Sequence, residues 1–191
     1  LSAFYTPPTI LEGVWKGVER LGFAGGLALD PSTGTGGFLG SVPKDIAANT
    51  TFSARELDHV TARIGAQLYG AGNIKQAGFE TVKLPNNHYD LAISNIPFGD
   101  YAVYDPEYKG QNFLIHDYFF AKSIDKVREG GIVAFITSTG TLDKQDQKAR
   151  QFIEERADFV GAIRLPNKAF AKFAGTDVST DIIFLRKRAI G

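Results

Sequence analysis

The residues best suited to chemistry lie in segment 90–100, Asp-Leu-Ala-Ile-Ser-Asn-Ile-Pro-Phe-Gly-Asp. An apolar run delivers Asn95 to a loop that Pro97 stiffens, and the proline also biases Ile96 towards an extended conformation. The Asn95 side-chain carbonyl and the Ile96 main-chain carbonyl can both accept hydrogen bonds from an exocyclic amine. An amine held by its protons in this way presents its nitrogen lone pair to an electrophile such as a methyl sulfonium. Phe98 supplies an apolar plate on which a flipped base can stack. Such a site works by positioning and by stabilising charge that develops on the amine, without a strongly shifted general base. Taken alone, the same tetrapeptide also describes a simple turn with a core phenylalanine.

A second constellation is Leu27-Ala28-Leu29-Asp30-Pro31-Ser32-Thr33-Gly34-Thr35-Gly36-Gly37: strand, acid, glycine-rich turn. The glycines permit positive φ and close approach of a ligand to the backbone. No Gly-Lys-Ser/Thr follows, and position 39 is Leu, so neither a P-loop nor the G-x-G-x-x-G fingerprint is present. An acid ahead of the glycines repels a pyrophosphate and attracts a cationic amine or sulfonium. That favours S-adenosylmethionine over a dinucleotide. A plain strand-to-helix turn is the alternative. Glu56, at the end of the next apolar run, can accept both hydroxyls of a ribose; alone it would be a solvated helix-entry charge.

The elements that must carry these groups alternate between apolar strands and amphipathic helices, an α/β pattern with a largely parallel sheet. Helices are expected over 9–22, with Pro7-Pro8 as entry and Gly22 as exit, then from 38 with an interruption at Pro43, and over 58–69, 113–128 and 144–156. Strands are expected over 26–30, 51–57, 74–79, 88–95, 132–137, 159–165 and 181–187. Gly130-Gly131 reads as the stop of the 113–128 helix. Segment 100–111 is a tyrosine-rich loop whose length suggests a function. Its Tyr101, Tyr104 and Tyr108 could stack on extruded bases or simply pack.

The chain has 191 residues, 43% hydrophobic and 22% charged, which suits one globular domain with a real core. No apolar run is long enough to span a bilayer, and no secretory leader is visible. Zero cysteines exclude disulfides, thiolate metal sites and a cysteine nucleophile. His59, His88 and His116 lack metal-ligand spacing, and His116-Asp117 reads as a helix-surface or packing pair. These features fit a cytoplasmic protein. The 21 basic residues are balanced by 21 acidic ones, so a nucleic-acid partner would have to be gripped partly from elsewhere. Lys168, Lys172, Arg186, Lys187 and Arg188 give some basicity near the end, most of it expected to be solvated. A start on Leu and the absence of Met suggest a piece of a longer polypeptide.

Ala3-Phe4-Tyr5-Thr6-Pro7-Pro8, then Asp30-Pro31-Ser32-Thr33-Gly34-Thr35-Gly36, then Asn95-Ile96-Pro97-Phe98, in that order, resemble the gamma-class adenine-N6 methyltransferases of DNA. Segments 112–120 and 130–137 look most like methylase domains fused to helicases in mobile elements; type I restriction modification subunits are also similar. The resemblance covers nearly the whole chain. It implies a Rossmann-like S-adenosylmethionine-dependent fold of about seven strands, the last antiparallel, and methyl transfer to adenine in DNA with the base flipped into the site. Partners would be the remainder of a larger polypeptide or a specificity subunit, since no target-recognition domain lies within 1–191. By the same resemblance Tyr5, Thr6, Asp30, Pro31, Ser32, Gly34 and Gly36 would hold the methionine part of the cofactor and Glu56 its ribose. Phe79 would flank the cofactor adenine, Asn95 and the Ile96 carbonyl would bind the target amine, and Phe98 would stack on the base. Two positions depart from the family pattern: Ile96 stands where proline is usual, and Gly78 where an acid is usual, with Glu80 nearby as a substitute. The same loop also serves methylation of protein glutamine or of an RNA base, and a degenerate fold acting as a cofactor-binding scaffold is the non-enzymatic alternative.

Overall fold

The computed structural model describes residues 5–138, 146–166 and 179–189. In chain order the elements are α1 (Pro8–Arg20), β1 (Gly26–Asp30), the short α2 (Gly37–Gly40) and α3 (Lys44–Ala47), β2 (Thr50–Glu56), α4 (His59–Tyr69) and β3 (Ile74–Gln76). There follow β4 (Tyr89–Asn95), α5 (Ile115–Lys126), β5 (Val127–Ser138), α6 (Gln147–Glu154), β6 (Ala157–Leu165) and β7 (Thr180–Lys187). The seven strands form one sheet in the order β3-β2-β1-β4-β5-β7-β6. Strands β1 to β5 pair in parallel, and β7 lies antiparallel to both β5 and β6.

Two apolar layers sandwich the sheet. On one face α1 lays down Ile10, Leu11, Val14, Trp15 and Val18, the stripe its spacing prescribes, against Ala28, Leu91, Ile93, Ala134 and Ile136. On the other, α5 packs Tyr118, Phe120, Ala121 and Ile124 against Leu29, Ala92, Val133 and Phe135. Asp58 caps α4 by accepting from the Thr61 amide at 2.8 Å.

Three sequence expectations need correction. Helix α5 ends at Lys126, and the chain passes straight into β5; Gly130-Gly131 falls within that strand. Between the pairs Tyr89↔Val127 and Leu91↔Ile132 the register shifts, and Gly130, at φ 77°, takes up the extra length as a bulge. Of the two readings of His116-Asp117, packing holds: they are 8% and 1% exposed. Of the basic residues near the end, Lys187 is buried and Arg186 half-buried, both with protein partners, while Arg188 is exposed. Arg186 donates to the carbonyls of Gly130 at 2.9 Å and Leu21 at 2.5 Å. Lys187, 4% exposed, donates to Asn87 Oδ1 at 2.7 Å and to the Val127 carbonyl at 2.9 Å. Their charge ties loop carbonyls to the sheet. Lys168 and Lys172 lie outside the described residues.

Strand β3 is also shorter than expected. It stops at Gln76, and Phe79–Thr81 forms a 3-10 turn closed by the Thr81 hydroxyl on the Gly78 carbonyl at 2.8 Å. The turn drops the Phe79 ring into the core beneath α5.

Candidate active site

The order of the sheet reverses between β1 and β4, so their carboxyl ends border a crevice, the usual ligand position in an open α/β sheet. Asp30 ends β1 and Asn95 ends β4. The two halves of the site are joined by the intervening serine. Ser94 Oγ donates to Asp30 Oδ1 at 2.6 Å, and the Ser32 amide donates to the same oxygen at 3.2 Å.

Asp30 Oδ2 is buried and has no hydrogen-bond partner. The carboxyl is thus half satisfied, with one oxygen available to an incoming donor. Burial pushes its pKa up to about 7, against the opposing pull of the Ser94 bond, the neighbouring Thr33 hydroxyl and the Ser32 amide; Thr33 Oγ1 and Asp30 Oδ2 are near each other without meeting hydrogen-bond geometry. A cation docking there would restore the carboxylate.

The turn after β1 runs Pro31 (buried), Ser32, Thr33 and on through Gly34 at φ 60° and Gly36 at φ 93°. Gly36 also sits close to α4: a Cβ there would lie 2.5 Å from Tyr69 Cδ2. The Gly34 amide donates to Glu56 Oε2 at 2.8 Å, and Glu56 Oε1 accepts from the Asp58 amide at 3.1 Å. Glu56 therefore braces the glycine turn from the end of β2 and remains only partly buried. Beyond it Leu57, 65% exposed, presents an apolar side chain at the same edge.

Asn95 is oriented from the start of the chain. Its Nδ2 donates to Thr6 Oγ1 at 3.1 Å, which fixes the amide so that Oδ1 is the group turned to an incoming donor. Tyr5, 57% exposed, precedes that anchor. The Ile96 amide donates to the Ile136 carbonyl at 3.1 Å, a bond proline could not make, and its side chain is 3% exposed. The loop therefore has an anchor of its own at the position where the family pattern has proline. Pro97 is half-buried and Phe98 is exposed at the loop tip.

Around Gly78 the Glu80 side chain folds back. Its carboxyl carbon lies 2.8 Å from where a Cβ at position 78 would be, so the acid group occupies the space of the missing side chain. The Phe79 ring is 1% exposed, with Phe119 at 5.0 Å and Tyr118 at 5.9 Å between centroids. Its ring packs in the core, and its carbonyl accepts from Lys122 Nζ at 2.9 Å. In the loop after Phe98, Tyr101 and Tyr104 are 52% and 71% exposed, whereas Tyr108 is fixed through its hydroxyl to Asp125 Oδ2 at 2.6 Å. No group of His, Asp and Glu suited to a metal ion occurs among the described residues.

Reading by motif missed Ser94 and two lysines of α5, Lys122 and Lys126. Ser94 had a signal, since a lone hydroxyl in an apolar strand must find a partner.

Comparison with known proteins gives this arrangement a family. Residues 2–190 match the N-6 DNA Methylase family. The chain belongs to that family. It is 31% identical over 193 residues to the Defense against restriction protein B of Escherichia phage P1, covering 98% of this chain and 8% of that protein. It is 25% identical over 211 residues to the Type I restriction enzyme EcoEI methylase subunit of Escherichia coli, covering 96% of this chain and 42% of that subunit. The chain thus spans less than half the length of either relative. The fold is that of the methyltransferase subunit of a type I restriction-modification system from Streptococcus thermophilus, with a TM-score of 0.76 at 18% identity over 97% of this chain and 44% of that one. This is the Rossmann-like methyltransferase sheet, with the antiparallel β7 that the family resemblance implied. Among the described residues no helix is long and apolar enough to cross a membrane.

Proposed function

We propose that this chain is the catalytic domain that moves a methyl group from S-adenosylmethionine to the exocyclic N6 amine of adenine in DNA. The observation that carries the reading is the pairing of two unfilled acceptors at adjacent strand ends. One is the buried, unpartnered Asp30 Oδ2, and the other is the Asn95 carbonyl, directed by the Thr6 hydrogen bond.

The residues present fit the cofactor. A buried carboxylate oxygen without a donor suits a cationic amine or sulfonium better than a neutral or anionic ligand. Tyr5, Thr6, Asp30, Pro31, Ser32, Gly34 and Gly36 would hold its methionine part. Glu56, already fixed by Gly34, would meet the ribose, and the Phe79 main chain with Glu80 would border its adenine. Bound there, the cofactor supplies an electrophilic methyl group on a sulfonium.

The chain supplies the rest. Asn95 Oδ1 and the Ile96 carbonyl accept the two N–H bonds of the target amine, so the nitrogen lone pair faces the methyl. The methyl would pass to the amine as its bond to sulfur breaks, sulfur keeping the electron pair as a neutral thioether. The positive charge that then develops on the amine would be stabilised by these two carbonyl dipoles until one proton leaves to solvent. Phe98, and Tyr101 and Tyr104 beyond it, offer exposed rings to an extruded base. The family, and the relatives named as restriction-system proteins, support DNA over protein glutamine or RNA. Zero net charge places much of the DNA grip in the remainder of a larger polypeptide or in a specificity subunit.

The test is methyl incorporation from radiolabelled S-adenosylmethionine into adenine-containing DNA by the full-length protein. Asn95→Ala should lower incorporation by about 100-fold or more. Incorporation indifferent to that substitution would remove the mechanism; cofactor binding without any incorporation would leave a cofactor-binding scaffold.

A further inference from the structure

Helix α5 carries two lysines, one turn apart, that are almost wholly enclosed: Lys122 is 0% and Lys126 1% exposed. Buried ammonium groups are costly unless every proton is used. Lys122 uses all three. Its Nζ donates to Asp105 Oδ2 at 2.7 Å and to the carbonyls of Phe79 and Val82, each at 2.9 Å. Lys126 repeats the arrangement, donating to Glu107 Oε2 at 2.7 Å and to Asn86 Oδ1 at 2.8 Å.

Each lysine therefore joins the same two stretches of chain. One is segment 79–86, which leaves the turn holding Phe79 and Glu80. The other is the loop 99–111, which continues from Asn95-Ile96-Pro97-Phe98. Asp105 is itself held from both sides, accepting from Tyr118 Oη of α5 at 2.5 Å and from the Glu107 amide of its own loop at 3.0 Å. The loop's near end is tied by the Ile115 amide to the Tyr101 carbonyl at 2.8 Å. Apolar packing alone would hold α5 against the sheet, and a buried ion pair seldom adds stability over a packed apolar pair. The specific property of this one is that a single ammonium spans two segments.

We propose that Lys122 with Asp105, supported by Lys126 with Glu107, is a positioning clamp that makes the cofactor-side segment 79–86 and the target-base loop 99–111 order as one unit. This rests on the functional reading above for which ligand each segment meets. Its consequence is that S-adenosylmethionine, on ordering the first segment, also orders the second, and binding of cofactor and of target DNA reinforce each other. Lys122 touches neither ligand and acts through the two segments.

Hydrogen exchange on the full-length protein tests this, with calorimetry for the cofactor and circular dichroism for the fold. Without ligand, Lys122→Met should speed exchange in 79–86 and 99–111 together, by about tenfold for a lost charge-assisted hydrogen bond. The paired Lys122→Met/Asp105→Asn variant strands no charge; the Asn oxygen keeps the bond from the Glu107 amide and its NH2 can donate to Tyr118 Oη, so it decides the matter if the single variant does not fold. In the native protein S-adenosylmethionine should protect both segments; in the paired variant it should protect 79–86 as before and 99–111 less than in the native protein, Lys126 with Glu107 still joining the two. A purely structural role would not move that second difference. Faster exchange in only one segment, or undiminished protection of 99–111 in the paired variant, overturns the clamp. Absence of any cofactor heat in the native protein sinks the functional reading instead, and the ligand-free comparison then decides the clamp alone.

Discussion

Ser94 Oγ lies 2.6 Å from Asp30 Oδ1, so the residue before the proposed catalytic asparagine directly holds the acid proposed to anchor the cofactor. The bond crosses 64 positions of sequence and is buried. Burial, which outweighs this bond, makes Asp30 the titrating centre of the site.

The Asp30 pKa is raised from 3.8 to about 7 by burial. Between those values the folded protein holds a proton that the unfolded chain releases. Its stabilising contribution is therefore full below about pH 4 and lost as pH rises through 7. Asp30→Asn should remove this dependence, making the ligand-free protein more stable at pH 8 by up to about 4 kcal/mol while abolishing cofactor binding. Thermal melts at pH 5 and pH 8 check the first half and calorimetry the second; a loss of stability at pH 8 would contradict the assignment.

Cofactor affinity should follow the same proton. A cation prefers ionised Asp30, so apparent affinity should climb with pH up to about 7 and level off above it. Calorimetry in buffers of different ionisation enthalpy should detect about one proton released on binding at pH 6. Ser94→Ala removes the bond that opposes burial and should move the break to higher pH. An affinity flat from pH 5 to 8 would rule Asp30 out as the cation anchor.

Thr6 matters through Asn95. Thr6→Val keeps the shape and removes the acceptor for Asn95 Nδ2, so the amide can turn its wrong end to the substrate. Loss of one such bond, about 1 kcal/mol, should lower kcat roughly fivefold. Methyl-transfer kinetics at saturating cofactor would show it; an unchanged kcat would mean that Asn95 is held by other contacts.

Ile96→Pro would bring the loop to the family's usual residue, yet it should damage this protein. It deletes the amide that donates to the Ile136 carbonyl and empties a buried side-chain site. A loss of about 2–4 kcal/mol is expected in urea unfolding. An unaffected midpoint would show that the loop draws nothing from that anchor.

The alternation of apolar strand and amphipathic helix in the sequence already determined the α/β class, and the order of its motifs, Asp30 ahead of its glycines and then Asn95-Ile96-Pro97-Phe98 at a strand end, pointed to the family and to the proposed site. These are local properties: period, turn chemistry and motif order are written in neighbouring residues. Partnerships across the fold are not. Gly130-Gly131 looks like a helix stop until the offset between Tyr89 and Leu91 on the facing strand demands a bulge there. Lys187 looks solvated until Asn87, the end of α5 and the start of β5 close over it. Ser94 on Asp30, Thr6 on Asn95, and Lys122 between Phe79, Val82 and Asp105 join residues 17 to 89 positions apart. Only the packed sheet brings them within hydrogen-bond range, because desolvation during folding obliges each buried polar atom to find its partner wherever the chain has placed one.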